Sequence, residues 1–160
     1  MSNYRIGQGF DIHKLEEGLP LIIGGVKFDF EKGFVAHSDG DVLIHAIIDS
    51  LLGALSLGDI GAIFPDTDEK YKNADSKELL KNVMKIVTQK GYKIVNLDTT
   101  IKAQRPKMRE KIDEIRKSLA AILNTDIENV SVKAKTLEGL GPIGEVKAIA
   151  ADSVVLLEKI

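Results

Sequence analysis

The chain has 160 residues, no cysteine, and a formal net charge of -2 from 22 basic and 24 acidic residues. This near balance leaves no broad basic field for nucleic acid and no polybasic patch for a membrane surface. Without cysteine, any transition metal must be held by histidines and carboxylates. The length favours one domain over residues 1–160. The lack of a long apolar run or a leader pattern favours a cytoplasmic location.

Hydrophobic periodicity and turn residues predict the secondary structure. The predicted elements are, in chain order, strands at 4–13 and 20–30, helices at about 41–54 and from the Asp75–Glu78 capping box to Gly91, a strand at 93–103, a helix at 108–123, and strands at 130–136 and 147–157. This order predicts an α+β fold in which helices cover one face of a mixed sheet, in a ferredoxin-like split arrangement.

The helix at 41–54 is apolar around most of its circumference, which predicts that it is buried. It nevertheless carries Asp41, His45 and Asp49 at positions i, i+4 and i+8, which form one polar stripe. Burying such a stripe is costly unless it faces a cavity, a partner or a ligand.

The first strand ends in "DIH", which places Asp11 and His13 on the same face of the strand. Two side chains at this spacing can converge on one ion, and His45 is the best candidate for a third ligand. Two histidines and one carboxylate form a catalytic zinc set with an open fourth position. The alternative interpretation is a strand end with a solvated Asp and a half-buried His.

Several loops carry further candidates. In "AHSDGD", His37 and Ser38 precede a helix and suit an oxyanion or phosphate, whereas Asp39 and Asp41 suit helix caps. The loop "GDIGAIFPDTD" is either a solvated turn or a polyol-binding segment. The segment "KAQRPKM" is a solvated basic cluster or a phosphate contact, with a helix start at its proline. In "VKAKTLEGLG", Thr136 and Glu138 could orient an oxygen and hold a hard cation.

Seven segments, in order and with compatible spacing, resemble the 2-C-methyl-D-erythritol 2,4-cyclodiphosphate synthase family: "RIGQGFDIH", "IIGGV", "KGFVAHSDGDVLIHAIIDSLLGAL", "LGDIGAIFPDTD", "ADSKELL", "AQRPKM" and "VKAKTLEGLG". The resemblance implies a homotrimer with active sites between subunits. It implies a substrate, 4-diphosphocytidyl-2-C-methyl-D-erythritol 2-phosphate, whose 2-phosphate attacks the β-phosphorus and releases CMP, in the non-mevalonate isoprenoid pathway.

The resemblance also implies roles for residues of this chain. Zn²⁺ would be held by Asp11, His13 and His45, and Mg²⁺ or Mn²⁺ by Glu138. His37 and Thr136 match the catalytic pair that stabilises the transition state. The substrate-binding set is Asp11, His13, His37, Ser38, Asp59, Ile60, Gly61, Phe64, Pro65, Asp66, Thr67, Asp68, Ala103, Pro106, Lys107, Met108, Lys135, Thr136 and Glu138, in which residues 103–108 match a base-binding segment contributed by a neighbouring subunit.

One segment departs from the family pattern. "EGLGPIGEVKA" has Pro142 where an aromatic residue is usual and Glu145 where an arginine is usual. In the family that arginine lies toward the trimer axis and can meet a prenyl diphosphate, so a carboxylate predicts that this chain does not bind one there. Two other functions remain open from the residues: a zinc hydrolase that activates water, and a structural or regulatory trimer with a non-catalytic metal.

Overall fold

The computed structural model describes residues 2–160 and has a five-stranded sheet covered by helices. The strands and α-helices are β1 Tyr4–Glu17, β2 Leu21–Ile23, β3 Val26–Phe28, β4 Lys32–Phe34, α1 Val42–Ala54, α2 Ile60–Ile63, α3 Ser76–Gln89, β5 Tyr92–Lys102, α4 Ile112–Leu123, β6 Val130–Lys135, α5 Gly141–Gly144 and β7 Ala148–Lys159. No helix in residues 2–160 combines the length and apolarity needed to cross a membrane.

The main sheet has the order β4-β1-β7-β5-β6. Strand β7 lies between β1 and β5 and is antiparallel to both, so β1 and β5 run parallel and their connection spans the inserted strand. This is the expected split arrangement. Strands β5 and β6 are parallel neighbours joined by α4, which makes the sheet mixed, as predicted.

Helix α1 lies directly against β1 because Gly7 and Gly9 of β1 have no side chains to separate them. A Cβ added to Gly7 would lie 1.8 Å from the carbonyl oxygen of Ser50. Alternation along β1 directs Gly7, Asp11 and His13 to this same helical face. The close contact therefore places the "DIH" side chains beside the buried helix.

The predicted strand at 20–30 is wrong as a single strand. It folds back as the hairpin β2–β3, a separate two-stranded sheet. Gly24 and Gly25 occupy the turn with φ of 62° and 77°, which suits glycine. Both backbone N–H groups of this turn donate to the buried carboxylate of Asp41, at 2.9 and 2.8 Å. A tertiary contact thus fixes a turn that the hydrophobic pattern alone does not reveal.

Three further details differ from the sequence predictions. A bulge at Val95 shifts the register of β5 against β7 between Ile94 and Asn96, so the strand predicted at 93–103 is not regular throughout. The loop after α1 contains the short helix α2. Short helix α5 packs Ile143 against Ala148 and Ala150 on the opposite side of the sheet from the main core, so helices do not cover one face alone.

Candidate active site

Asp11, His13 and His45 bring three potential ligand atoms together. Asp11 Oδ2 lies 2.9 Å from His13 Nε2 and 3.0 Å from His45 Nδ1, and the two nitrogens lie 3.4 Å apart. The strand β1 supplies Asp11 and His13, and α1 supplies His45. The convergence that spacing suggested for "DIH" is therefore present, and His45 completes the cluster.

The spacing of these atoms suits a tetrahedral divalent metal. Ligands about 2.0–2.1 Å from a zinc ion in tetrahedral geometry lie about 3.3 Å from one another. The observed separations are close to that edge length. Three protein ligands would leave a fourth position for water or substrate, and the same three residues line a cavity. The three residues could thus hold a divalent metal and present it to a substrate.

The electrostatics of the cluster favour a charged carboxylate. Burial alone would raise the pKa of Asp11, but hydrogen bonds from His13 and His45 and the charges of those rings lower it to about 2. Burial alone would lower the pKa of His45, but its hydrogen bond to Asp11 and the nearby carboxylates raise that pKa above its ordinary value. The site therefore concentrates negative potential where a cation would bind.

The other ring nitrogen of His45 has two serine partners. Its Nε2 lies 2.9 Å from Ser76 Oγ and 3.3 Å from Ser38 Oγ. Ser76 is fully buried at the start of α3 and bonds the carboxylate of Asp39 through both its hydroxyl and its backbone N–H. Sequence reasoning missed Ser76, because nothing local signals a contact with a residue 31 positions away.

Of the predicted polar stripe, only His45 faces the site. Asp41 caps α1 by accepting from the backbone N–H of Ile44 and also holds the β2–β3 turn. Burial raises its pKa to about 6, against the effect of these hydrogen bonds. Asp49 accepts from the backbone N–H of Ile60 at 2.8 Å. The predicted helix cap at Asp41 is confirmed. Asp39 does not cap α1, and its carboxylate accepts hydrogen bonds from the backbone N–H groups of Asp41 and Ser76.

A cavity of about 190 Å³ opens in front of the cluster. Nine predicted site residues line it: Asp11, His13, His37, Ser38, His45, Ile60, Gly61, Phe64 and Asp66. Ala36, Tyr71 and Leu79 also line it and were not predicted. Asp59 caps α2, and Asp68 caps the following single turn, so these carboxylates shape the loop by local hydrogen bonds. Pro65 and Thr67 belong to the same loop but do not line the cavity.

A second cavity, of about 730 Å³, is lined by six other predicted binding residues: Ala103, Pro106, Lys107, Met108, Lys135 and Thr136. It is lined by Ala103, Gln104, Pro106, Lys107, Met108, Arg109, Glu110, Ile112, Val132, Ala134, Lys135 and Thr136. The two cavities share no lining residue. Within one chain, the predicted catalytic pair His37 and Thr136 therefore lines two different cavities.

Glu138 lines neither cavity. It is exposed in the loop after β6, with φ of 54°. The next residue, Gly139, donates its backbone N–H to Gln104 Oε1 at 3.1 Å, which ties this loop to the start of the base-binding segment predicted at 103–108. Glu138 thus precedes a residue that is bonded to the lining of the second cavity, and it is not part of the Asp11–His13–His45 cluster.

The sequence model of the YgbB family matches residues 4–158, which contain the site described above. The chain belongs to this family. It is 58% identical over 153 residues to the 2-C-methyl-D-erythritol 2,4-cyclodiphosphate synthase of Clostridioides difficile (strain 630), covering 96% of this chain and 95% of that protein. The enzyme of the same name from Haemophilus influenzae (strain PittEE) is 56% identical, over 96% of this chain and 97% of that protein.

Solved structures share the fold. The Plasmodium falciparum IspF in a CDP complex has a TM-score of 0.87 and 40% identity, covering 99% of this chain and 98% of that one. The bifunctional IspDF from Campylobacter jejuni has a TM-score of 0.94 and 42% identity. This chain covers 42% of that longer protein and is itself covered to 98%. These likenesses confirm the family resemblance and the α+β fold with a mixed sheet.

Proposed function

We propose that this chain converts 4-diphosphocytidyl-2-C-methyl-D-erythritol 2-phosphate to 2-C-methyl-D-erythritol 2,4-cyclodiphosphate and CMP, as a phosphorus–oxygen lyase of the non-mevalonate pathway. An oxygen of the 2-phosphate attacks the β-phosphorus, and the bond from that phosphorus to the CMP oxygen breaks. The observation that carries the proposal is the Asp11–His13–His45 cluster at the mouth of a cavity, in a chain 58% identical to a synthase of that name.

The donor set supports Zn²⁺ as the ion held by Asp11, His13 and His45, since two imidazoles and one carboxylate are a familiar zinc set. When bound, zinc would supply Lewis acidity toward a phosphoryl oxygen and a fixed template for the diphosphate. The protein's part is to hold the two phosphates together. Because the nucleophile belongs to the substrate, positioning and electrostatic stabilisation are the main contributions of the chain.

The cavity residues divide into roles by chemistry. His37, half-buried at the cavity, would donate a hydrogen bond to a phosphoryl oxygen as charge develops in the transition state, and Thr136 would do the same from the other side. Ser38 and Asp66 would bind the methylerythritol hydroxyls and phosphate. The rest of the loop, from Asp59 through Asp68, would shape this pocket, with Phe64 closing it against water.

The second cavity suits the cytosine end of the substrate. Its wall contains Ala103, Pro106 and Met108, where backbone groups can read a base edge, and Lys107 and Lys135 provide positive charge for phosphates. Glu138, in the loop tied to Gln104, would hold Mg²⁺ or Mn²⁺. A second cation would offset the repulsion between the two phosphates before they react.

A homotrimer would bring the two halves of the site together. The separation of the two cavities within one chain supports this, because the proposed substrate must reach both. The face of the sheet opposite the main core supports it too: Ile6, Phe10, Ile12 and Val154 there are 42% to 71% exposed. Such an apolar patch on a sheet is typical of a contact between protein chains.

The single domain at 1–160 and the cytoplasmic location stay predictions.

The test is the reaction itself, followed with metal-replete protein. We expect CMP release together with a cyclic diphosphate whose two phosphorus nuclei couple in ³¹P spectra. Chelation should abolish turnover, and His45→Ala should reduce it at least about a thousandfold, since it removes a metal ligand. Lys81→Ala is the control, because its exposed ion pair with Glu78 contributes little.

Labelled water separates this activity from a hydrolase. The cyclisation takes no oxygen from solvent, so turnover in H₂¹⁸O should give unlabelled CMP and unlabelled cyclic product. A hydrolase would place ¹⁸O on a phosphate of its linear product. Labelled linear product, or no CMP from metal-replete protein, would refute the proposed reaction. Metal bound by the inactive protein would then support the structural alternative.

A further inference from the structure

Two residues that do not line the cavity, Ser76 and Asp39, form a chain of hydrogen bonds to Nε2 of His45. Ser76 Oγ lies 2.9 Å from His45 Nε2, and the Ser76 hydroxyl bonds Asp39 Oδ1. The backbone N–H of Ser76 donates to Asp39 Oδ2 at 2.9 Å. Ser76 is fully buried and does not line the 190 Å³ cavity. Neither residue has a predicted role in substrate or metal binding.

The direction of these hydrogen bonds sets the tautomer of His45. An ionised carboxylate only accepts, so the single hydroxyl proton of Ser76 goes to Asp39. Ser76 Oγ can then only accept from His45, which requires a proton on Nε2. The other nitrogen, Nδ1, lies 3.0 Å from Asp11 Oδ2, which can only accept, so in the metal-free protein Nδ1 donates to it. When His45 gives up one proton to bind a metal, Nε2 keeps its proton and Nδ1 supplies the lone pair.

Ser38 offers a contrast at the same ring nitrogen. Its Oγ is 3.3 Å from His45 Nε2 and accepts from the backbone N–H of Gly40 at 3.3 Å. Both contacts are long, and Ser38 lines the cavity. Since His45 Nε2 is a donor, the hydroxyl proton of Ser38 is free to point toward a bound ligand. The two serines therefore differ in role: Ser76 orients the imidazole, whereas Ser38 faces the cavity.

We propose that Ser76 and Asp39 are positioning residues that keep His45 in the Nε2-protonated tautomer and direct Nδ1 to the metal. This rests on the proposed function of Asp11, His13 and His45 as metal ligands. A carboxylate behind a ligating imidazole fixes its orientation and makes it a better donor. Here the buried hydroxyl of Ser76 relays that effect from Asp39 to His45.

The first measurement is Zn²⁺ affinity, by competition with a chromophoric chelator at constant pH. Ser76→Ala should weaken Zn²⁺ binding by about 10- to 100-fold, the usual cost of losing such a partner. Ser38→Ala is the matched control, because it removes a hydroxyl from the same nitrogen at longer range. It should change the affinity by less than about threefold, since its contact is long and weak.

The second measurement separates orientation from simple loss of structure. Long-range ¹H–¹⁵N spectra of the protein at saturating Zn²⁺ report which nitrogen of His45 carries the proton. The Nε2–H signature should dominate in the parent and in Ser38→Ala, and become mixed in Ser76→Ala. If Ser76 had only a structural role, Ser76→Ala would lower the free energy of unfolding and leave the tautomer of His45 unchanged. The side-chain cap of α3 at Asp75 remains in Ser76→Ala, so the helix start is retained.

Asp39→Asn provides an independent variant at the far end of the relay. It removes the charge that polarises Ser76 and should weaken Zn²⁺ binding in the same direction. The inference is overturned if both Ser76→Ala and Asp39→Asn bind Zn²⁺ within about twofold of the parent, or if His45 keeps its tautomer in both. The proposed function fails separately if the parent protein binds no Zn²⁺ or if His45→Ala binds it equally well.

Discussion

Gly9 touches the backbone of Ala46 so closely that no side chain fits between them: a Cβ on Gly9 would lie 1.9 Å from the Ala46 carbonyl oxygen. Ala46 follows His45 on α1, and Gly9 lies two residues before Asp11 on β1. This contact therefore sets the distance between the strand that carries two candidate ligands and the helix that carries the third.

Gly9→Ala should consequently damage both stability and the metal site. The obstacle is backbone, which cannot rotate away, so α1 must move and we expect a loss of about 3 kcal/mol or more in the free energy of unfolding. Zn²⁺ affinity should fall as well, because His45 moves with α1. Urea unfolding and chelator competition measure the two effects.

Gly53→Ala is the control for that variant. It lies on the same helix, but the nearest atom to its added Cβ is Gln8 O at 3.8 Å. Helix propensity then predicts a gain of up to about 1 kcal/mol. Equal destabilisation by the two substitutions would contradict the importance of the Gly9–Ala46 contact.

The metal-free protein should show a pH window of stabilisation from Asp11 and His45. The folded pKa of Asp11, about 2, lies below its ordinary 3.8, so its contribution is present above about pH 4 and is lost as the pH falls through 2. The folded pKa of His45 lies above 6.5, so its contribution is complete below pH 6.5 and is lost as the pH rises through the folded value.

Asp11→Asn tests this window. Between about pH 4 and 6.5 it should lower the free energy of unfolding by about 1–3 kcal/mol, the value of a hydrogen bond to a charged group. The difference should shrink above that range as His45 loses its proton. Urea titrations in chelator at several pH values give the measurement, and a difference that stays constant from pH 5 to 8 would contradict it.

Subunit mixing tests whether the active sites lie between chains. His45→Ala and Glu138→Ala should each be inactive alone. If a site takes His45 from one subunit and Glu138 from another, random reassembly of equal amounts should restore about a quarter of the sites in a symmetric trimer. No recovery after co-refolding, with trimers verified by light scattering, would argue that each chain works alone.

The exposed apolar face of the sheet should determine assembly. Ile6 is 71% exposed there, and Ile6→Asp should give monomers without cyclase activity, because the charge would be buried at the contact. Ile160→Asp is the control, since Ile160 is 74% exposed at the end of the chain. Sedimentation velocity distinguishes the species, and trimeric, active Ile6→Asp protein would exclude this face from the interface.

Glu145 should prevent binding of a prenyl diphosphate at the axis of the proposed trimer. Its carboxylate is exposed and lies 3.0 Å from the ammonium of Lys147, which offsets only part of its charge at an exposed site. Calorimetric titration with geranyl diphosphate should show no saturable binding, whereas Glu145→Arg should gain it. Tight binding by the parent protein would refute the prediction.

How far the sequence predicts the site depends on the range of each contact. The Asp11–His13 spacing and the capping by Asp41 are local, so period and residue type predict them. The choice of His45 from the stripe was also correct, because a buried helix has few reasons to carry a histidine. Ser76 and the fold-back at Gly24–Gly25 depend on contacts between distant segments, which periodicity does not record.

The proposed two-chain site shows a different limit. Residue patterns alone suggest that Thr136 and Glu138 are functional, but they give no sign that these residues lie away from His37 in the same chain. In the structure, His37 and Thr136 line different cavities, and Glu138 lines neither. The family resemblance supplied the expectation of a shared site, and local sequence chemistry had no means of supplying it.

The ligand positions have a consequence for folding. His13 and His45 are 32 residues apart along the chain, so an ion bound to both would cross-link β1 to α1 and close that loop much as a disulfide does. Because the unfolded chain lacks the site, stabilisation grows with free metal, reaching about 2.7 kcal/mol at a concentration one hundred times the dissociation constant. The melting temperature of this cysteine-free protein therefore becomes a gauge of the metal available to it.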